Sequence, residues 1–187
     1  KNLLSLEDYE KQREQIKDDL LLHKKNRSIM IGKNILLLFE DYETIKYQVQ
    51  EMLRIEKIFK ETEINDEISA YTQLIPDGDN LKATMLIMYP DVSERKIMLN
   101  RLNGIENNIY LQIDDIDKIF AVSDEDLERT KDGKTSAVHF LRFQLDKSIV
   151  EKFKSSNNIL LGVEHENYTY NMKINNEVKN ALVSDFE

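Results

Sequence analysis

The segment that most constrains this fold runs from Thr135 to Leu145 and reads TSAVHFLRFQL. It is rich in β-branched and aromatic residues, and its apolar residues recur at every second position, which predicts a strand with one buried face. His139 lies on that face between Ala137 and Leu141, so an imidazole stands in an apolar row. A titratable side chain that faces the interior must find a partner or shift its pKa. We therefore expect His139 to mark a site.

Composition indicates one globular domain. The chain has 187 residues, of which 41% are hydrophobic and 33% charged, enough to bury a core of useful size. It contains no cysteine, which excludes disulfides, thiolate zinc sites and cysteine-bound iron–sulfur clusters within the chain. We expect a single domain over residues 1–187, and the lack of cysteine agrees with a cytoplasmic location.

Charge and hydropathy argue against two classes of partner. A formal net charge of -9 disfavours nucleic-acid binding, which needs a basic surface. Membrane insertion is also disfavoured, because no apolar run approaches the roughly 20 residues that span a bilayer and the first residues lack the apolar core of a signal peptide. We interpret the basic cluster from Lys24 to Arg27 as a solvated helix end, where cations suit the helix dipole.

Helices and strands alternate irregularly along the chain. Helical spacing predicts an N-terminal helix over about residues 6–25 and a terminal helix over about residues 175–187. Between them, helices are predicted at 42–60, 64–74, 93–102 and 147–154, and strands at 28–32, 34–40, 81–89, 108–113, 118–122, 135–145, 159–164 and 168–172. Hairpins or single helices join these strands, with no regular βαβ alternation. We therefore predict an α+β fold of one domain, with an antiparallel or mixed sheet covered by helices.

A carboxylate interrupts the apolar face of the helix predicted at 42–60. At about 100° per residue, Glu56 falls on the same face as Ile45 and Val49, and Gln48 lies toward the same side. A carboxylate in such a position is costly unless it meets a cation, a metal or hydrogen-bond donors. Two interpretations stay open: a salt bridge to a basic side chain of another element, or a functional carboxylate.

His165 repeats the pattern of His139, because it shares one face of a predicted strand with Leu161. Two histidines and Glu56 would form a plausible ligand set for a divalent metal such as zinc or non-haem iron. The same three groups would equally serve proton transfer near neutral pH. The competing interpretation is a pair of core histidines bonded to carbonyls or carboxylates. Tyr168 either packs on the sheet or supplies a hydroxyl to a pocket.

Other motifs are weaker. The oxygen-rich runs DGDN at 77–80 and DDID at 114–117 lack the ligand spacing of a calcium loop, and we interpret both as turns. The chain has no Walker loop, no G-x-G-x-x-G and no G-x-S-x-G, so nucleotide binding and serine hydrolysis have no local support.

Several segments together resemble a bacterial family. They are LLFE at 37–40, QVQEMLRIE at 48–56, LIP at 74–76, Thr135 to Phe143, and His165 with Asn167 and Tyr168, in this order. Over nearly its whole length the chain thereby resembles the family catalogued as domain of unknown function 3501. The family has no assigned activity, and its pattern near His165 has Asp-His-Pro, where this chain has Glu164 and Glu166.

The resemblance implies a redox setting, because genes of the family tend to sit beside those for rubrerythrin-like proteins and for iron–sulfur proteins resembling heterodisulfide reductase subunits. We expect an accessory or binding protein of a redox or oxidative-stress system, whose partner is a rubrerythrin-like or iron–sulfur protein. Its expected pocket is lined by Gln48, Glu56, His139, His165 and Tyr168, and in one version Glu56 and the two histidines hold a divalent metal. The alternatives are a small-molecule enzyme in which Glu56 and His139 perform acid–base catalysis, and a purely structural interaction module.

Overall fold

Two antiparallel sheets form the centre of the fold. The structure is a computed structural model that describes residues 3–127, 129–130 and 133–186. The first sheet has the strand order β1 (Ser28–Ile31), β2 (Ile35–Phe39), β3 (Asn80–Ile87), β7 (Val138–Gln144) and β6 (Val122–Ser123). The second has the order β5 (Ile119–Phe120), β4 (Ile109–Ile113), β8 (Ile159–His165) and β9 (Tyr168–Lys173). The predicted α+β class and antiparallel pairing are confirmed, with two sheets in place of one.

The strand predicted at 118–122 is divided between the two sheets. β5 pairs with β4, placing Phe120 opposite Tyr110, whereas β6 pairs with β7, placing Val122 opposite Arg142. Ala121 lies between the two short strands, and the chain passes from one sheet to the other at this residue. A period-two pattern shows which residues face the interior, but it does not show which sheet a strand joins. The pattern therefore predicted a single strand over residues 118–122.

Helices flank the two sheets. They are α1 (Leu6–Lys25), α2 (Tyr42–Glu56), α3 (Glu61–Thr72), α4 (Val92–Arg101), α5 (Lys147–Ser155) and α6 (Asn176–Val183), with 3₁₀ turns at Ile105–Asn108 and Ser184–Phe186. The predicted N-terminal and C-terminal helices are confirmed. Most of the helices begin after a side chain that accepts a backbone N–H of the first turn, as Ser5 does for α1 and Asp41 for α2. No helix in the described ranges is long and apolar enough to cross a membrane.

Alternation along β3 and β7 separates the core from an outer face. The inward residues join those of the second sheet in one apolar cluster, and they include Leu81, Met85, Leu141 and Phe143. The intervening residues, on the opposite face, include Lys82, Thr84, Phe140 and Arg142. Helices α2 and α3 share a smaller apolar cluster around Ile45, Val49 and Leu53. The outer face of the first sheet is therefore open to polar contacts with these two helices.

Arg27 corrects the interpretation of the basic cluster as a solvated helix end. Its side chain is 2% exposed, and it donates to the carbonyl oxygens of Phe39 (3.1 Å) and Ala181 (2.8 Å). It also pairs with Asp185 in the C-terminal 3₁₀ turn. Because α1 ends at Lys25 and the chain turns into β1, the guanidinium points into the interior and anchors the C-terminal segment there.

Candidate functional site

His139 lies on the inward face of β7 and is fully buried, so its expected burial is confirmed. Its Nδ1 lies 2.5 Å from Asp124 Oδ2, and its Nε2 lies 2.7 Å from Thr135 Oγ1 and 3.1 Å from the carbonyl oxygen of Ser136. The ring is therefore held by a carboxylate at one nitrogen and by a hydroxyl and a carbonyl oxygen at the other. Glu106, which accepts from Thr135, lies 3.9 Å from Nε2. The imidazole thus joins β7 to Asp124 and Thr135 in the interior.

The partners of His139 hold the segment that follows β6. Asp124 has a backbone φ of 49°, and its Oδ1 accepts hydrogen bonds from Phe140 N (3.0 Å) and from the Arg129 guanidinium (3.1 Å). Thr130 in the same segment donates to Glu106 at 2.7 Å. Because the imidazole is enclosed and both nitrogens bind protein atoms, it has no free nitrogen for a substrate. Its contacts support a structural role.

His165, at the end of β8, is a satisfied core histidine. Its Nδ1 accepts the backbone N–H of Asn167 at 3.2 Å, and its Nε2 therefore carries the proton and donates to the carbonyl oxygen of Asn103 at 3.1 Å. These two bonds tie the β8–β9 turn to the end of α4. His165 is 8% exposed.

Glu56 is exposed, and the expectation that it is sequestered from solvent is wrong. It is the last residue of α2, because Lys57 adopts a left-handed conformation with φ 55° at the C-cap. The cluster around Ile45 and Val49 reaches Leu53, three residues before Glu56, and the neighbouring Ile55 is 60% exposed. Helical periodicity assigns Glu56 to a face, but it does not show where the cover on that face ends.

The three expected metal ligands do not converge. Glu56 ends α2, His139 lies in the first sheet and His165 in the second, and among the described residues they share no hydrogen-bond partner. Across the ranges that the structure describes, no group of three or more His, Asp or Glu side chains is placed to hold a metal ion. The expected metal set is therefore not assembled, and the acid–base pair of Glu56 and His139 is split between the surface and the core.

Tyr168 ties the second sheet to the β1–β2 hairpin of the first. Its hydroxyl donates to the carbonyl oxygen of Ile31 at 2.7 Å and accepts the backbone N–H groups of Lys33 and Asn34, each at 3.0 Å. These bonds use the one donor and both lone pairs of the phenol. Packing on the sheet is thus favoured over a hydroxyl offered to a pocket.

Gln48 lines a groove of about 900 Å³ between α2, α3 and the outer face of the first sheet. Tyr71 of α3 lines the same groove. The outward residues of β3 and β7 form the floor, and the turn at 77–80 contributes to the rim. Among the expected site residues, Gln48 is therefore the one from which we build the candidate site.

Two cations face each other on the groove floor, because Lys82 and Arg142 are cross-strand partners. Like charges in this position repel unless each is compensated. Arg142 makes two 2.8 Å bonds to Glu125, and these bonds hold the pKa of that carboxyl below its usual range. Lys82 donates to the carbonyl oxygens of Gln73 and Ile75, each at 2.9 Å. Both cations are therefore already engaged by protein atoms.

Glu40 is a buried carboxylate in the wall of the groove, only 5% exposed. The hydroxyls of Thr44 and Thr84 donate to its two oxygens, each at 2.6 Å. Among the ion pairs that the described residues form, none includes Glu40. A carboxylate accepts about four hydrogen bonds, so Glu40 has capacity left for a further donor, and burial without a cation is costly.

Asn80 is a second buried acceptor, at the start of β3 and 2% exposed. Its Nδ2 donates to Asp77 and, at 3.0 Å, to Asp79. Its Oδ1 is a buried side-chain atom that has no hydrogen-bond partner among the described residues. Asn80 shares the outward face of β3 with Lys82 and lines the groove. Asn80 therefore lines the same cavity as Glu40, and its unmatched acceptor is itself buried.

Sequence patterns do not predict Glu40, Asn80, Lys82 and Arg142 as site residues. One signal was present, because the alternation that turns His139 inward also turns Arg142 outward, beside Phe140. The oxygen-rich run at 77–80 predicts a turn, but it does not indicate which residues lie beside that turn in space. Which helices stand over a sheet face is a tertiary relationship that local patterns do not report.

Comparison with known proteins confirms the resemblance. The model of a family described as "protein of unknown function (DUF3501)" matches residues 1–186. A crystal structure of a novel protein of unknown function from Burkholderia pseudomallei K96243 is similar, with 45% sequence identity and a TM-score of 0.93 over 99% of this chain and 96% of that one. No curated protein matches the chain. With almost every residue inside the family match, this chain belongs to the DUF3501 family of proteins of unknown function.

Proposed function

We propose that this protein binds a small polar molecule in the groove between α2, α3 and the first sheet. The observation that carries the proposal is the pairing of a cavity of about 900 Å³ with two buried acceptors, Glu40 and Asn80, that have unused capacity. Ligand pockets of roughly 300–1,000 Å³ with a few fixed polar groups are typical of small-molecule sites. The groove therefore has the size and the chemistry of a binding site.

Binding in the groove is favoured over catalysis by the histidines. The ring nitrogens of His139 and His165 are directed at protein atoms, so neither imidazole is free to exchange a proton with a ligand. Glu56 lies at the surface end of α2. Gln48 is the expected residue retained in the proposed site, where it stands beside Tyr71.

The redox setting implied by the family resemblance supplies a context for this proposal. An accessory protein of a rubrerythrin-like or iron–sulfur partner would carry the ligand or respond to it. A pull-down with the full chain as bait, with and without groove ligand, tests this part separately. Recovery of such a partner supports the redox setting, and its absence from the eluate removes that setting without affecting the groove.

Amide chemical-shift mapping tests the binding proposal. The probes are spermidine, citrate and glucose, which differ in charge, added to ¹⁵N-labelled protein. The proposal expects at least one probe to shift the resonances of Lys82 and Arg142 saturably. Ala70→Trp, which fills the groove from the exposed side of α3, should abolish the shifts, and Ala70→Ser should keep them. If none of the three probes moves the groove resonances, the proposal fails.

A further inference from the structure

We propose that two copies of this chain pair through the outer edge of β9, antiparallel to each other, with Asn171 of both copies on the two-fold axis. The proposal is independent of the groove, because none of the residues that line the groove belongs to β9. It follows from the exposure of this edge, from the direction of its backbone groups, and from the side chains that would meet across it.

β9 is the longest edge strand of the two sheets. It has six residues, whereas the edge strand β1 has four and the edge strands β5 and β6 have two each. It pairs with β8 without a bulge and contains no proline, and residues 169–173 are exposed. Natural sheets commonly protect an edge with a bulge, a proline or a covering element. The β9 edge is therefore open to a further strand.

Every second residue of β9 turns its backbone groups away from β8. His165 and Tyr168 flank a two-residue turn and form the hydrogen-bonded pair that closes the hairpin, and such pairs alternate along an antiparallel ladder. The bond from Ile174 N to Ile159 O, at 2.8 Å, fits this alternation. The residues whose N–H and C=O groups point to the outer edge are therefore Thr169, Asn171 and Lys173. None of these groups has a backbone partner among the residues that the structure describes.

One register pairs all three outward residues of both copies. Antiparallel pairing around Asn171 places Asn171 opposite itself and Thr169 opposite Lys173 of the second copy, so each of these pairs exchanges two hydrogen bonds. An axis at Lys173 would set two like charges directly opposite each other, which is unfavourable. A closed two-fold interface is also the commonest form of association between identical chains.

The side chains complement each other in this register. Tyr170 faces Met172 of the second copy, and both side chains are exposed in the single chain, so a ring meets a thioether on each side of the axis. Lys173 stands opposite Thr169, beside which Glu164 of β8 presents an exposed carboxylate. The edge therefore carries both halves of the apolar and the charged contacts, which favours a second copy over an unrelated peptide.

Sedimentation of the full chain tests the proposal at protein concentrations up to about 0.5 mM, where even a small interface associates. We expect a dimer. Asn171→Pro should weaken it at least about tenfold, because it removes the N–H that bonds across the axis, and proline is tolerated where an edge strand faces solvent. Asn171→Thr is the matched control, since it keeps this N–H and should keep the dimer. Circular dichroism checks that each variant is folded.

Cysteine cross-linking tests the register, because the chain has no cysteine of its own. Residues of a hydrogen-bonded antiparallel pair have Cα atoms about 5.5 Å apart, within the range that a disulfide spans. Asn171→Cys should therefore give a disulfide-linked dimer on mild oxidation. Thr169→Cys alone should not, since the two copies of this position would lie about 13 Å apart along the strands. A mixture of Thr169→Cys and Lys173→Cys chains should cross-link.

Three results would overturn the proposal. A chain that stays monomeric at every concentration has no such interface. A dimer that a folded Asn171→Pro variant leaves intact forms through another surface. Cross-linking through Thr169→Cys in place of Asn171→Cys would show a different register. If Asn171→Pro does not fold, the cross-linking pattern decides alone, and none of these outcomes affects the groove, which the chemical-shift titration tests separately.

Discussion

Arg27 and Asp185 form an ion pair in the interior, with Nη2 and Oδ2 2.5 Å apart and side chains that are 2% and 3% exposed. The pair joins the start of β1 to the last turn of the described chain. Asp41 also lies 3.3 Å from the same guanidinium, so one arginine serves two carboxylates. Because Asp185 is buried and shares Arg27 with Asp41, the ionisation of Asp185 makes stability depend on pH.

The contribution of Asp185 to stability should fall as the pH rises from about 4 to about 6. Burial raises the pKa of Asp185 from its ordinary 3.8 to about 6, and Arg27 only partly opposes this rise. Between these values the folded chain binds a proton that the unfolded chain has released, so raising the pH favours unfolding, by about 3 kcal/mol for a shift of this size. Asp185→Asn should remove this slope in urea denaturation measured across that range. Asp66→Asn, at an exposed position, should keep it, and an unchanged slope in Asp185→Asn would contradict the assignment.

Glu51 should stabilise the docking of α1 on α2 at neutral pH. Hydrogen bonds from Arg13, together with those from Tyr9 and Arg54, lower the pKa of Glu51 to about 2. The stabilisation is present above the ordinary value of 4.5 and is lost as the pH falls toward 2. Because solvent screens the pair, we expect Glu51→Gln to cost only about 1 kcal/mol at pH 7. The difference from the unmodified chain should shrink at pH 3, and a constant difference would count against the ion pair.

Replacement of His139 should destabilise the fold according to the donors that remain. His139→Leu removes the ring nitrogens that contact Asp124 Oδ2 and Thr135 Oγ1, and we expect a loss of about 1–3 kcal/mol. His139→Asn keeps a donor near Asp124 and should lose less. Equilibrium unfolding in urea measures both variants. Equal losses would show that side-chain volume, not hydrogen bonding, explains the cost.

Gly32 and Tyr168 should be energetically coupled. Gly32 has φ +65°, and a Cβ there would lie 2.5 Å from the Tyr168 hydroxyl, so Gly32→Ala should cost about 2 kcal/mol or more. Tyr168→Phe should cost about 2–3 kcal/mol, because the backbone groups of Lys33 and Asn34 lose their acceptor. The double variant should lose less than the sum, since the hydroxyl is the nearest obstacle. Strict additivity in a double-mutant cycle would refute the contact.

The sequence predicted the parts of this fold that depend on local periodicity. The inward face of β7, with His139 buried, and the first helix follow directly from spacing. It did not show that residues 118–122 divide between two sheets, or that Arg27 turns inward, because both depend on which elements meet in space. The candidate site was predicted least well. Of the five predicted site residues, Gln48 alone is among those that line the groove in the described part of the chain. The groove is formed by α2, α3, β3 and β7, which are distant in sequence, so local patterns do not predict it.

The side-chain amide resonances of Asn80 test the central claim, that the groove binds a ligand at its buried acceptors, most directly. In ¹⁵N-labelled protein titrated in turn with spermidine, citrate and glucose, the account predicts that at least one probe moves these resonances saturably, with the same midpoint as the backbone resonances of Lys82 and Arg142. Asn80 resonances that stay fixed while the probe shifts exposed acidic residues elsewhere, such as Glu151, would contradict it.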